Sequence, residues 1–378
     1  MLCLRNSTMS AKTGAYRVLL AICLLVTGSA AITDCYGQAH PASGWDGPVS
    51  GPVAHPGKKV MFISADFKNG GISAAYRGFY VAAIRLGWEV LLIDGKGNDN
   101  TIRTAFSEAV RLHQDAIILG GFGIDEYTEV AAQARRSGLV LVGWHAAENP
   151  GATKDLFANV STDTADVARI AADYAISKGS EHAGFVIFND ARYAIANAKT
   201  KYMQDAIQKC SHCKLLSVEN LPISEASTRM SDAVIRLNQV FGKAWTHTLA
   251  INDVYFDSMN YPLAWIKRPD IVNVSAGDGS RIAIDRVISG RSQQIATVAE
   301  PTSLQGWQLA DELNRAFSSV PPSGYISKPI LVTASQSKQS LADGIDSDIP
   351  YEAAYSAIWA GKKIDDKLLA HPGAKVNH

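Results

Sequence analysis

Two cysteines three positions apart, Cys210 and Cys213 with only Ser211 and His212 between them, are the most reactive pairing the sequence offers. Such a pair can shuttle electrons, close a small disulfide, or supply half of a metal site. Redox use calls for a pair at a helix start after a strand. Here the pair follows a helical pattern (Tyr202, Ala206, Ile207) and precedes strand residues (Leu215, Leu216, Val218). The spacing therefore reads as a local disulfide staple in an oxidising compartment, and no second ligand pair stands nearby for a metal. His145 has no histidine or cysteine at ligand spacing, which makes it an ordinary hydrogen-bonding residue before a metal ligand or a general base. Trp144 beside it suits either packing at a strand end or stacking on a ligand. Gly120-Gly121-Phe122-Gly123 imitates a dinucleotide loop without its spacing. The chain has no Gly-x-Ser-x-Gly turn, no phosphate-cradling Gly-x-x-x-x-Gly-Lys and no clustered histidines, so the expectation is a protein without enzymatic chemistry, cofactor or metal.

The elements that would position these residues alternate along the chain. Val60 to Ile63 is a short apolar run suited to a strand covered on both faces. After the turn at Gly70 and Gly71, Ala75, Phe79, Ala82, Ala83 and Leu86 recur at helical spacing, and Gly87 stops the helix. Val90 to Ile93 makes a second buried strand. This βαβ unit predicts a parallel sheet, with Ser64 to Ile72 at the strand end where open sheets bind ligands.

The alternation continues to the end of the chain. A helix marked by Ile102, Ala105, Phe106 and Ala109 leads to a strand at Ala116 to Leu119. Asp125, Glu126 and Tyr127 read first as helix N-terminal charges and second as cleft residues. A helix at Val130 to Ala134 and a strand at Leu139 to Val142 give the first sheet at least four strands. A second series opens at Thr162, a candidate helix cap. Its strands are Gly184 to Phe188, Leu215 to Val218, Thr248 to Ile251, Ile271 to Val274, Ile295 to Val298 and Ile330 to Val332. Helices fall at Ile195 to Ile207, Ala226 to Phe241, Arg281 to Ile288 and Leu304 to Phe317. An eight-fold barrel and two open sheets both fit this count, and the long polar loop Glu148 to Phe157 between the series favours two lobes.

The first residues stand apart from this fold. Lys12 and Arg17 precede an apolar core, Val18 to Val26, followed by small residues. That layout reads as a cleaved export signal over 1–39, cut after Ala31 or Ala39, and the core is shorter than the roughly 20 residues of a spanning helix. Residues 40–57, rich in Gly and Pro, read as a flexible lead-in. Lys and Arg number 36 and Asp and Glu also 36, a balance that points away from nucleic acid and anionic membrane surfaces.

The element order resembles the periplasmic sugar-binding proteins of the ribose-binding type. Four local matches support the resemblance: the first strand with its loop ending in Arg77-Gly78, Ala250-Ile251-Asn252-Asp253, Ser275-Ala276-Gly277-Asp278-Gly279, and Ala296-Thr297-Val298-Ala299-Glu300. The resemblance implies an α/β fold of two Rossmann-like lobes joined by three hinge crossings near Val160, Glu300 and Ser327. The lobes would be 58–160 plus 300–327 and 161–299 plus 328–345, with 346–378 as a tail. It also implies that Asn69, Asn252, Asp278 and Glu300 serve the ligand, although Asn252 and Asp278 equally suit helix caps.

The departures from the family pattern are at the ligand. Gly71 and Ile72 stand where paired aromatics are expected, Trp144-His145 where Asp-Arg is, and Asn197 where an arginine is. With Phe122 from the glycine loop, these give a less polar candidate site of Asn69, Ile72, Phe122, Trp144, His145, Asn197, Asn252, Asp278 and Glu300. The implied function is a monomeric periplasmic protein that captures a small molecule, sugar-like by family, for a transporter permease. An apolar ligand such as a lipid or sterol, and a sensor partner such as a membrane kinase or chemoreceptor, are the alternatives.

Overall fold

A computed structural model describes residues 44–179, 181–336 and 344–369. The expected export signal lies outside these residues. No described helix is long and apolar enough to cross a membrane.

The first series runs β1 (Lys59–Ser64), α1 (Gly70–Arg85), β2 (Glu89–Asp94), α2 (Asp99–Arg111), β3 (Ala116–Gly120), α3 (Thr128–Arg136), β4 (Val140–Trp144) and β5 (Ala158–Val160). Its five strands pair in parallel in the order β2-β1-β3-β4-β5. β5, only three residues long, follows the polar loop and carries no periodicity of its own. Val60 to Ile63 and the whole of β3 are buried, because α1 and a helix from later in the chain, Thr302–Phe317, cover one face of the sheet and α2 and α3 the other.

The second series runs α4 (Thr164–Ser177), β6 (Ala183–Asn189), α5 (Ala194–Lys209), β7 (Cys213–Asn220), α6 (Ala226–Phe241), β8 (His247–Ala250), α7 (Val254–Asp257), α8 (Asn260–Trp265), β9 (Val272–Ser275), α9 (Arg281–Ser289), β10 (Gln294–Ala299), α10 (Thr302–Phe317), β11 (Ile330–Thr333) and α11 (Tyr351–Trp359). Its sheet has the order β11-β10-β9-β8-β6-β7, parallel except that β11 runs antiparallel to β10. The two sheets make two lobes with separate apolar cores, the expected fold class.

The chain passes between the lobes after β5, after β10 and before β11, the three expected crossings, and a fourth time after β11, since α11 lies in the core of the first lobe. The second passage delivers α10 onto α1 of the first lobe, and the two helices cross at glycines. A side chain at Gly306 would meet the backbone of Gly78 at 2.7 Å, and one at Gly78 would meet Ser303 O at 2.5 Å. Only hydrogen fits at both positions.

Two sequence readings change. Thr162 does not cap α4; Asp163 does, its side chain accepting the Asp166 N–H, and Thr162 turns inward. The supposed flexible lead-in is bound down over residues 44–57. Trp45 is buried and its backbone bridges to Leu369, Asn314 Nδ2 donates to the carbonyls of Pro52 and Val53, and Arg315 Nη2 donates to Ser50 O. Glycine and proline here deny the strap a regular ladder, so its backbone groups find side chains of α10 instead. Helix α11 closes over the same region, with Trp307 and Trp359 stacked at 5.4 Å. With α1 and the first sheet they bury every residue of α10 from Leu304 to Arg315.

Candidate functional site

Each sheet has one point where the strand order reverses, between β1 and β3 in the first and between β6 and β8 in the second. Loops leaving the carboxyl ends of those strands diverge there and leave a crevice. A cleft lies at these points. Ala65, Asp66, Asn69, Ile72, Gly121, Trp144 and His145 line it from the first lobe, and Tyr193, Ile195, Ala196, Lys199, Ile223, Ser224, Ile251, Asn252 and Asp278 from the second.

Its floor is a polar network that joins the first three crossings through Glu300. Glu300 Oε2 accepts Thr162 Oγ1 at 2.6 Å, beside the first crossing, and lies 2.9 Å from His145 Nε2. Gln305 Nε2 donates to Glu300 Oε2 at 3.2 Å and to Ser327 Oγ at 3.1 Å, beside the third crossing. The Trp144 indole donates to Gln305 Oε1 at 2.8 Å. His145 reaches this network with φ at +54°, a left-handed conformation that costs a side-chain-bearing residue about 1 kcal/mol or more. The ring then lies flat on Trp144, centroids 3.9 Å apart.

A buried lysine completes the floor. Lys199 Nζ donates to Ala276 O at 2.9 Å and stands 3.6 Å from Glu300 Oε1 and 3.9 Å from Asp278 Oδ1. Burial opposes ionisation of Glu300, but His145, Lys199 and Thr162 outweigh it and hold the carboxyl well below its ordinary range. Asp278 goes the other way, raised by burial and by the Glu300 charge against the pull of Lys199 and His145. Ligand atoms of His145, Asp278 and Glu300 lie within 4.8 Å of one another, as a metal would require. The Lys199 ammonium already fills the cationic role between the two carboxylates. The second three-donor group among the described residues, Cys210, His212 and Cys213, has its sulfurs joined in a disulfide and offers no thiolate.

The lobes touch across the cleft. Asn69 caps α1, its Oδ1 accepting the Gly71 N–H at 2.9 Å, and the Asp278 carboxylate of the other lobe lies against Gly71. A methyl added there would sit 2.6 Å from the Asp278 carboxyl carbon. At the outer rim, Glu126 and Asp99 of the first lobe share a field with Asp190 and Arg192 of the second. Burial and Asp99 push the Glu126 carboxyl up to about 7, with Asp190 raising it further and Arg192 and Arg103 opposing.

Lobes that part here would expose Glu126 and carry Arg192 and Asp190 away from it, so such a motion is expected to be proton-linked. A carboxyl whose pKa is higher in the closed form than in the open form favours closure while protonated and opposes it once charged. Ligand affinity is therefore expected to fall as pH rises through about 7, by about threefold for each half unit of difference between open and closed forms. Calorimetric titrations from pH 6 to 8 on the parent and on Glu126→Gln check this. The parent should slope and the variant should be flat; equal slopes would remove Glu126 from the account.

The sequence from residue 60 to 318 matches the family model described as a periplasmic binding protein domain. The chain belongs to the periplasmic binding protein family. Comparison with curated proteins returns no sequence match. Among solved structures, a sugar ABC transporter protein from Yersinia enterocolitica aligns at a TM-score of 0.70 with 15% identity, covering 83% of this chain and 99% of that one. A solute-binding protein from Agrobacterium vitis with bound allitol aligns at 0.65 with 17% identity, covering 74% and 96%. A 5-methylthioribose transporter solute-binding protein from Thermotoga lettingae, in complex with 5-methylthioribose, aligns at 0.67 with 15% identity, covering 84% and 98%.

In this periplasmic binding protein the cleft gathers six of the nine residues singled out from sequence: Asn69, Ile72, Trp144, His145, Asn252 and Asp278. The other three lie elsewhere. Phe122 is fully buried against Phe106 and Tyr127 under the first sheet. Asn197 is an exposed residue that ties Asn189 to Ala191 O. Glu300 sits one layer below the cleft, acting through His145 and Lys199. The cap reading fails for both Asn252 and Asp278: Asp253 stands at the cap of α7 and Ser280 caps α9, while Asn252 Oδ1 accepts the Val254 N–H in a local turn and its Nδ2 donates to Asp278 at 2.7 Å. Lys199 escaped notice, yet it carried a signal. It falls at helical spacing with Ala196, Met203 and Ile207, a charged residue on the buried stripe of α5.

Proposed function

We propose that this protein is the solute-capturing component of a periplasmic ABC-type import system. It takes a small hydroxylated molecule between its lobes, closes on it without chemistry, and presents the closed form to a membrane permease. The observation that carries the reading is the placement of the cleft. It lies at the switch points of two sheets, above a network that ties the first three crossings together, so the residues that line the cleft also bear on the hinge. Asp66, Asn69, Lys199 and Asp278 line the cleft with donors and acceptors from both lobes, which hydroxyl groups need when they leave water. Family membership, structural neighbours that bind allitol and 5-methylthioribose, and the Cys210–Cys213 disulfide support the same reading and an oxidising periplasmic location.

The test pairs calorimetry with small-angle scattering on a panel of pentitols, hexitols, inositols and 5-methylthioribose. At least one should bind and shift the open population, contracting the radius of gyration. A panel in which nothing binds, or binding without any change in scattering, would count against capture by closure.

A further inference from the structure

The capture reading leaves the ligand's chemistry open, and the cleft wall narrows it. Four isoleucines face the cleft, Ile72 from the first lobe and Ile195, Ile223 and Ile251 from the second. Two aromatic rings line the cleft beside them: Trp144 has a face taken by the His145 ring and its indole N–H taken by Gln305, and Tyr193 has the Arg192 guanidinium over its ring, 5.3 Å from the centroid. A sugar ring held by aromatic planes keeps its edge hydroxyls free to pair, whereas branched aliphatic side chains pair with nothing. Any hydroxyl turned towards them is buried without a partner. Polar groups gather elsewhere, with Asn252, Asp278 and Lys199 at the hinge end and Asp66 and Ser224 beside Gly97 at the opposite end. Lys199 is held between Asp278 and Glu300 and His145 against Glu300, so among the lining residues an anion finds no uncommitted cation and meets the Asp66 carboxylate.

We infer that the ligand is a non-anionic molecule with two faces, a hydroxylated part and a compact aliphatic part without hydroxyls that packs between Ile72 and the three isoleucines of the second lobe. An alkyl-substituted or deoxygenated sugar or polyol meets this description, and a fully hydroxylated polyol does not. The inference rests on the capture reading and refines its substrate class.

The experiment titrates the full-length mature protein with ribose, ribitol, and methyl, ethyl and propyl ribofuranoside, alongside an Ile195→Ser/Ile223→Ser variant. Both positions are only partly buried, so the variant keeps its fold, and a thermal melt verifies that. Each added methylene is expected to tighten binding by about fourfold, the value of burying one such group. In the variant the series should flatten, each added methylene gaining less than about twofold. Equal or tighter binding of ribose and ribitol compared with the alkyl ribosides would overturn the two-faced ligand and leave capture intact. Failure of every compound to bind would count against capture itself, and the inference falls with it. A gain per methylene that survives unchanged in the variant would place the aliphatic group away from the isoleucines and overturn the assignment.

Discussion

Gly71→Ala is expected to weaken ligand binding by one to two orders of magnitude while leaving the melting temperature of the unliganded protein nearly unchanged. The added methyl would sit 2.6 Å from the Asp278 carboxyl carbon. Overpacking of that kind costs about 1 to 3 kcal/mol, or about 5- to 150-fold in an equilibrium. Because Gly71 starts α1 of the first lobe and Asp278 follows β9 of the second, the collision exists only when the lobes are together. The open form should tolerate the substitution, since alanine is the better helix former. Calorimetry with the tightest-binding compound of the panel reads the affinity, and scattering reads the closed fraction. Unchanged affinity would mean that the ligand-bound form does not bring α1 against Asp278. Asp278→Asn, which keeps the shape, serves as a comparison for the loss of charge alone.

Lys199→Met should cost the fold itself. Removing one partner from a buried ionic cluster leaves the others uncompensated, typically about 3 to 5 kcal/mol, or a fall in melting temperature of about 10 °C for domains of this size. Here Glu300 would lose a cation that holds its carboxyl low, and Asp278 would lose the charge that opposes its upward shift. The pH dependence distinguishes this from lost packing. In the parent, the lowered Glu300 contributes stability that is present above its unfolded pKa and lost as pH falls below it. In the variant both carboxyls take up protons more readily, so the deficit should shrink on acidification from pH 8 to pH 5. Lys199→Met/Glu300→Gln should recover part of the loss, because charge and counter-charge leave together. A single variant that melts with the parent at pH 8 would show that Lys199 does not neutralise the cluster.

The parts of this molecule that were legible in its sequence are those governed by local periodicity. Val60 to Ile63, the stripe of α1 and the repeated strand-helix alternation encode the sheets and helices directly, because burial on one face leaves a period in the chain. Asn69, Asn252 and Asp278 line the cleft because they follow β1, β8 and β9, whose carboxyl ends open into it. What was missed depends on partners far away in sequence. Residues 44–57 looked loose because nothing local orders them; Asn314 and Arg315 do so from about 260 positions away. Phe122 sits two residues past a strand that does reach the cleft, yet its ring turns to Phe106 and Tyr127 in the core. Glu300 serves the ligand by family resemblance; in the structure it lies below the cleft and links the crossings, an arrangement that exists only once Thr162, His145 and, through Gln305, Ser327 converge. Lys199 needed its position on a buried helical face to be weighed above its charge.

The strap at Trp45 and the segment at Leu369 pair with each other on the first lobe. Force applied between those two points would shear the bridge and then peel α11 from α10, sparing the hinge until the clamp had parted. A molecule fixed to a surface through either point would hold one lobe still and leave the other free to swing, so immobilised binding assays attached there should report the same closure as the protein in solution.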